Sequence, residues 1–391
     1  MPAEGPTVQI EFVSRVAEID GCLWRDCFPA PLEGRFWYQA LEDSGLGDQF
    51  MFCYALIRKN SQPVGIAPCF LHDVPITLVA PRPVAWVLRQ LARVIPRVGY
   101  QRTLFVGSPC ADEGTVGLVP GLKLSDIVVE LSEAVGQRAR ALKAPMIVFK
   151  DFPQVDLPVL KTLRGFFPSV SYPGTITTLP APGKDAYYRS LAHTQRHNLL
   201  KKFRRSRVTL PLVASAVQHP SDAELAEVFG LFQQTYERGI TKFERLDRRF
   251  FERIRGEPTA HFILLRDSAD SALAAFMLVF CLGGRVVNKF IGLDYRRGEK
   301  AYLYFRLFDA AVDFAYACHA TELASGQTGY RAKFDLGHRL VPLFNVARHA
   351  NPLIHAIFRA VGTRITWQTL DEDLAVYLRA HPEVNVPSAT P

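Results

Sequence analysis

Three basic residues crowd one bend, where Arg296, Arg297 and Lys300 stand within the run Asp294-Tyr295-Arg296-Arg297-Gly298-Glu299-Lys300. A strand pattern from Arg285 to Leu293 enters the bend and a helix pattern leaves it. In that helix Tyr304, Leu307, Phe308, Ala311, Val312 and Ala315 recur at three- and four-residue spacing, which gives it one face to pack on a sheet. A helix start presents free N–H groups and the positive end of a dipole, so Arg296, Arg297, Gly298 and Lys300 suit a phosphate-bearing ligand. The same residues also make an ordinary solvated turn. Lys289 lies in the strand that feeds the bend, where alternation turns one of each neighbouring pair away from the core; it either lines a cleft or has a buried partner. Tyr236 and Phe243 flank Gly239 and can form an aromatic wall or belong to the core.

These residues need elements to hold them. Val208 to Val217 reads as a strand, and Ser221 followed by Glu224 is a capping box opening a helix to about Thr235. A helix over about Leu246 to Ile254 follows, then strands Ala260 to Arg266, Ala272 to Cys281 and Arg285 to Leu293, with Gly283-Gly284 as a hairpin turn. The helix after the bend and a strand around Thr321 to Ser325 complete the order β-α-α-β-β-β-α-β. The first half reads similarly. It has strand Val8 to Val13, helices near Ala17 to Cys27 and Arg35 to Asp43, strands Phe50 to Arg58 and Val64 to Leu71, and an amphipathic helix from Pro83 to Ile95. Strand Thr103 to Val106, helix Ser125 to Leu142 and strand Met146 to Phe152 follow. The spacing thus predicts an α/β chain, a mixed-sheet fold used twice, with a seam at Pro180-Ala181-Pro182-Gly183. The domains are then 1–179 and 180–391, the second ending in a helical tail from Asn351-Pro352 onward.

A chain of 391 residues with 48% hydrophobic and 21% charged residues has ample material for two cores. Its net charge of +8 and pI near 9.1 favour anionic partners. The helix pattern from Gln195 to Arg207 concentrates that charge in Arg196, Lys201, Lys202, Arg204, Arg205 and Arg207. As a solvated face it needs no ligand, whereas an anion or RNA contact there weakens with salt. Seven cysteines without a Cys-x-x-Cys pair read as reduced thiols, and no apolar run has the length of a signal or a membrane span. A cytoplasmic protein is expected, with at most peripheral contact with a membrane. His193, His197, His319 and His338 lack metal-ligand spacing, so no metal is expected.

Four local matches resemble the GNAT acyltransferase superfamily, in particular its doubled FemAB-like and BioF2-like branch. They are Trp24 with Pro29, Phe36, Ala40 to Gly45 and Pro63 to Leu71; the basic helix; Phe229 to Tyr236 with Gly239, Thr241 and Phe243; and Gly326 to Lys333 with Gly337. The resemblance implies two tandem GNAT-like domains that move an acyl or aminoacyl group from acyl-CoA or acetyl-CoA to an amine or hydroxyl. An aminoacyl-tRNA donor, in cell-wall precursor synthesis, is the alternative, because Asp294 to Ala301 departs from the Arg/Gln-x-x-Gly-x-Gly/Ala pyrophosphate loop. A catalytically inactive protein that binds RNA or an anionic surface is a third reading. The resemblance places Lys333 and Tyr330 among the donor-end contacts, where Lys333 neutralises an oxyanion or a phosphate or is simply a surface lysine. Glu322, entering the last strand near the expected cleft, either accepts the amine proton or only marks the polar start of that strand, and Tyr236, Phe243 and Lys289 are the candidates for the substrate side.

Overall fold

The structure, a computed structural model, describes residues 7–75, 99–239 and 244–387. In chain order its strands are β1 (Val8–Val13), β2 (Met51–Lys59), β3 (Gln62–Pro75), β4 (Tyr100–Val106), β5 (Gly117–Leu118), β6 (Met146–Pro153), β7 (Phe167–Val170) and β8 (Gly174–Thr178). They continue with β9 (Leu212–Val217), β10 (Ala260–Asp267), β11 (Leu273–Leu282), β12 (Arg285–Leu293), β13 (Glu322–Ala324), β14 (Arg339–Val341) and β15 (Leu343–His349). Two mixed sheets result. One has the order β1-β2-β3-β4-β6-β15-β7, with β5 on β3, and the other β14-β8-β13-β12-β11-β10-β9. The chain therefore crosses from the first sheet to the second between β7 and β8, and β15 carries it back.

Local chemistry explains most of these elements. β11 is an unbroken apolar run buried on both faces, as its central position requires. Gly283 and Gly284, both at positive φ (49° and 83°), close the β11–β12 hairpin, where a residue with a Cβ would be strained. Asn351 caps the helix Pro352–Gly362 by accepting from the amides of Leu353 and Ile354, and proline fills the first helical position. The expected strand from Val208 begins later, because the basic helix His193–Thr209 runs through Val208. Burial of Leu199, Phe203 and Ser206 holds its last turns, and tertiary packing outweighs the preference of Val208 and Thr209 for a strand. The expected helix from Pro83 to Ile95 lies outside the described residues.

Three apolar clusters join the layers. The helix Val128–Ala141 and the C-terminal helices cover one face of the first sheet. The helices His193–Thr209 and Leu303–Ala317 cover one face of the second. Between the sheets a shared core takes side chains from both halves, with the helices Arg35–Asp43, Asp222–Arg238 and Arg248–Ile254. Trp37, fully buried, sits there 5.8 Å from the rings of both Phe250 and Phe280 and 6.5 Å from Phe290. Truncating such a side chain costs about 3–5 kcal/mol. The two sheets are thus one packed body at this junction, where the charged groups described next are buried.

Candidate functional site

β12 and β13 run parallel but pair only over Arg285↔Glu322, Val286↔Leu323 and Val287↔Ala324. From Asn288 onward β12 has no strand partner on that side among the described residues, and the chain after β13 turns away, with the Ser325 amide donating to the Thr175 carbonyl at 2.9 Å. Across the other edge of β12, Leu278 pairs with Phe290 and Val279 with Asn288, which leaves Lys289 as the extra residue of a β-bulge. A bulge re-aims its side chain, and this one sends Lys289 into the junction between the sheets.

There Lys289 meets groups from the first half of the chain. Its ammonium contacts the Glu33 carboxylate, lies 3.2 Å from Asp112 Oδ1 and 3.4 Å from the Cys110 carbonyl, and sits 4.8 Å from the centre of the Trp37 ring. Burial opposes the charge, but Asp112 and Glu33 outweigh it and push the Lys289 pKa up, so the side chain stays protonated. The loop that carries Cys110 and Asp112 is itself fixed. The Gly107 amide donates to the Pro68 carbonyl and the Gly114 amide to the Asp151 carbonyl, each at 2.8 Å, and Trp37 Nε1 donates to Ser108 Oγ at 3.3 Å.

Lys333, from the helix Tyr330–Asp335, has a different setting. Its buried ammonium donates to the carbonyls of Ser325, Gly326 (3.1 Å) and Gln327 (3.0 Å), at the point where β13 ends. Burial without a carboxylate contact pulls its pKa down to about 7, with Asp112 opposing. His338 braces this arrangement. Its Nδ1 faces the Lys333 carbonyl and its Nε2 the Ser325 hydroxyl, both at 3.1 Å. Burial and the Lys333 charge lower the imidazole pKa to about 3. A carbonyl only accepts, so Nδ1 carries the proton and Nε2 accepts from Ser325. Gly326, at φ 56°, lies against Asp112; a Cβ there would be 3.0 Å from Asp112 Oδ1. Lys333 and Lys289 therefore share Asp112 as a neighbour, one from each arm of the parted strands.

The remaining expected residues are distributed unequally. Tyr330 is fully buried and donates to the Pro173 carbonyl at 2.9 Å, so it pins its helix to the chain crossing between the sheets. Glu322 stands at the paired end of β13, bound to Arg285 (3.1 Å) and Arg339 (3.4 Å), and the structure does not bring it to Lys333. Arg297 donates to Asp267 at 2.6 Å and to Asp294 at 3.3 Å, which uses its guanidinium within the fold. Arg296 is exposed and bonds Asp294 at 2.8 Å, while Gly298 (φ 76°) and Lys300 are exposed, Lys300 without an ion pair among the described residues. A groove lined by Gln234, Glu237, Arg238, Tyr295 and Arg296 opens beside this bend, with the Arg238 guanidinium 4.2 Å above the Tyr295 ring. Tyr236 stacks on Phe232 at 6.3 Å. Phe243 lies outside the described residues.

Sequence reasoning missed the acidic side of the junction: Glu33, Asp112 and Glu244. Burial raises the Glu244 pKa to about 7, against the pull of Lys150 and Lys289. Burial thus leaves one carboxyl, Glu244, and one amine, Lys333, each able to hold or release a proton near neutrality. No local pattern marks these acids, since Glu33 and Asp112 meet Lys289 only through the tertiary fold. Among the described residues no group of three or more His, Cys, Asp or Glu is placed to hold a metal ion, and no helix is long and apolar enough to cross a membrane.

No protein-family model and no curated protein matches the chain. Solved structures do match its fold. FemX superposes with a TM-score of 0.55 at 13% identity, covering 89% of this chain and all 100% of its own. L-PGS from Bacillus licheniformis gives 0.51 at 13% identity, covering 83% of this chain and 96% of that one. A conserved protein of unknown function from Bacteroides thetaiotaomicron VPI-5482 gives 0.51 at 12%, with 87% and 100% covered. The chain thus shares the two-sheet α/β fold of these three structures.

Proposed function

We propose that the protein is an acyltransferase, moving an acyl or aminoacyl group from a thioester or ester donor to an amine or hydroxyl acceptor at the parting of β12 and β13. The observation that carries this reading is Lys333, a buried ammonium presented among three carbonyls where the two strands separate. As an amine attacks the donor carbonyl, a C–N bond forms and negative charge gathers on the carbonyl oxygen. With its three N–H groups given to the carbonyls of Ser325, Gly326 and Gln327, the Lys333 ammonium acts on that charge through space, as a fixed positive charge behind the turn and not as a hydrogen-bond donor. Glu244, ionised above about pH 7, accepts the proton the amine loses. The C–S or C–O bond to the leaving group then breaks, and the leaving group takes up a proton. Lys289 stays charged and ties Glu33 and Asp112 in place beside the reacting centre. Phosphates of an acyl-CoA donor fit the exposed side of the bend, at Arg296, Gly298 and Lys300.

The fold shared with FemX and L-PGS supports the class of architecture and leaves donor and acceptor to experiment. The test is transfer of a labelled acyl group from acetyl-CoA, longer acyl-CoAs or aminoacyl-tRNA to a panel of amines and alcohols, with Lys333→Ala as the control. Turnover with one donor that falls at least a hundredfold in the variant supports the reading. Absence of transfer from every donor, together with no thermal protection by any of them, would end it.

A further inference from the structure

The basic helix His193–Thr209 contains Arg196, Lys201, Lys202, Arg204, Arg205 and Arg207 and no acidic residue. It buries Leu199, Phe203 and Ser206 against the second sheet's outer helix and the bend, with Ser206 Oγ donating to the Ala301 carbonyl at 2.5 Å. Lys202 is used inside the protein, paired with Asp335 at 2.5 Å and 3.9 Å above the Phe305 ring. Lys201, Arg204, Arg205 and Arg207 point outward and have no ion pair among the described residues. Between them stand Leu200, 45% exposed, and Val208, 88% exposed. Leu200, Arg204 and Val208 are four residues apart in turn, so they form one stripe along the outer face.

We propose that this face docks on an anionic lipid bilayer. Unpaired guanidinium and ammonium groups attract lipid phosphates, and aliphatic side chains set among them enter the headgroup layer instead of facing water. The chain's net charge of +8 acts in the same direction. RNA would satisfy the charges equally well but would leave Leu200 and Val208 in water. The outward face also carries no Phe, Tyr or Trp, the helix's one phenylalanine, Phe203, being buried, and its two exposed rings, His193 and His197, stack on each other at 6.5 Å near the helix start. The proposal does not depend on the chemistry at Lys333 and stands or falls separately from it.

The test is flotation of the full chain with phosphatidylcholine vesicles, with and without phosphatidylglycerol, at low and high salt. Binding should require phosphatidylglycerol and weaken with salt. Arg204→Ala with Arg205→Ala should lower partitioning about 30-fold, at roughly fivefold per charge, and Val208→Ser, which changes no charge, about fivefold. These side chains are exposed, so the variants should melt like the parent protein. Equal binding to neutral vesicles, or binding indifferent to the arginine pair, would overturn the proposal. So would tRNA that displaces the protein from phosphatidylglycerol and binds Val208→Ser as well as the parent.

Discussion

Asp112 Oδ1 lies 3.2 Å from the Lys289 ammonium, and the two residues come from different halves of the chain. Lys289 also holds Glu33, so one ammonium neutralises two carboxylates at a junction that excludes most water. Breaking a buried pair from one side leaves uncompensated charge and usually costs about 3–5 kcal/mol. Lys289→Met should therefore lower unfolding free energy by roughly that amount in urea titrations. Glu33→Gln and Asp112→Asn added to Lys289→Met should restore most of it, and an unaltered midpoint in the single variant would contradict the buried network.

Lys333 gives a pH signature in stability. Its pKa is about 7 in the folded protein against 10.5 for an ordinary lysine. Between those values the unfolded chain binds more protons, so unfolding free energy should rise with pH through this window and fall again as pH drops toward 7. Lys333→Met removes the difference. Denaturation curves of both proteins at several pH values should diverge in slope only across that interval.

The same lysine and Glu244 should shape activity. Glu244 acts as a carboxylate above about pH 7, and Lys333 as an ammonium below about pH 7. The pH profile of kcat/KM should be a narrow bell near neutrality. Glu244→Gln should lower the rate and remove the acid limb, and Lys333→Ala the alkaline limb. A limb that survives its substitution would assign it to another group.

At the bend, two neighbouring basic residues should separate cleanly. Arg297 bonds the buried carboxylates of Asp267 and Asp294, so Arg297→Ala should cost about 1–3 kcal/mol of stability. Lys300 is exposed and unpaired among the described residues, so Lys300→Ala should change stability by less than about 0.5 kcal/mol. If the donor carries phosphate, that variant should instead raise the donor KM roughly fivefold, the worth of about 1 kcal/mol at a helix start. Thermal melts and donor titrations of both variants read the two effects.

Elements with strong local signals were legible in sequence. The Gly283-Gly284 hairpin, the apolar run of β11, the capped helix Asp222–Arg238 and the strand Arg285–Leu293 stand where pattern and capping put them. β15 was not legible. Its seven residues carry no turn or periodic signal of their own, and they become a strand because β6 and β7 wait on either side of them. The site divided along the same line. Lys333 and Lys289 were visible as isolated cations, yet Lys289 is aimed by a bulge and Lys333 is tuned by burial. Glu33, Asp112 and Glu244 acquire their surroundings only after two distant segments have met. Arg297 and Glu322 looked available because their acidic and basic partners, Asp267 and Arg285, lie 30 and 37 residues away.

β15 has a bearing on how the chain matures on the ribosome. Among the described residues β7 pairs only with β15, so this margin of the first sheet stays unfinished until residues Leu343–His349 have emerged, long after the strands that flank them were made. While residues 154–342 are being made, β6 offers an open hydrogen-bonding rim, the kind of surface that recruits chaperones or sticks to a sibling chain. A nascent protein halted anywhere before β15 would be left with that rim uncovered.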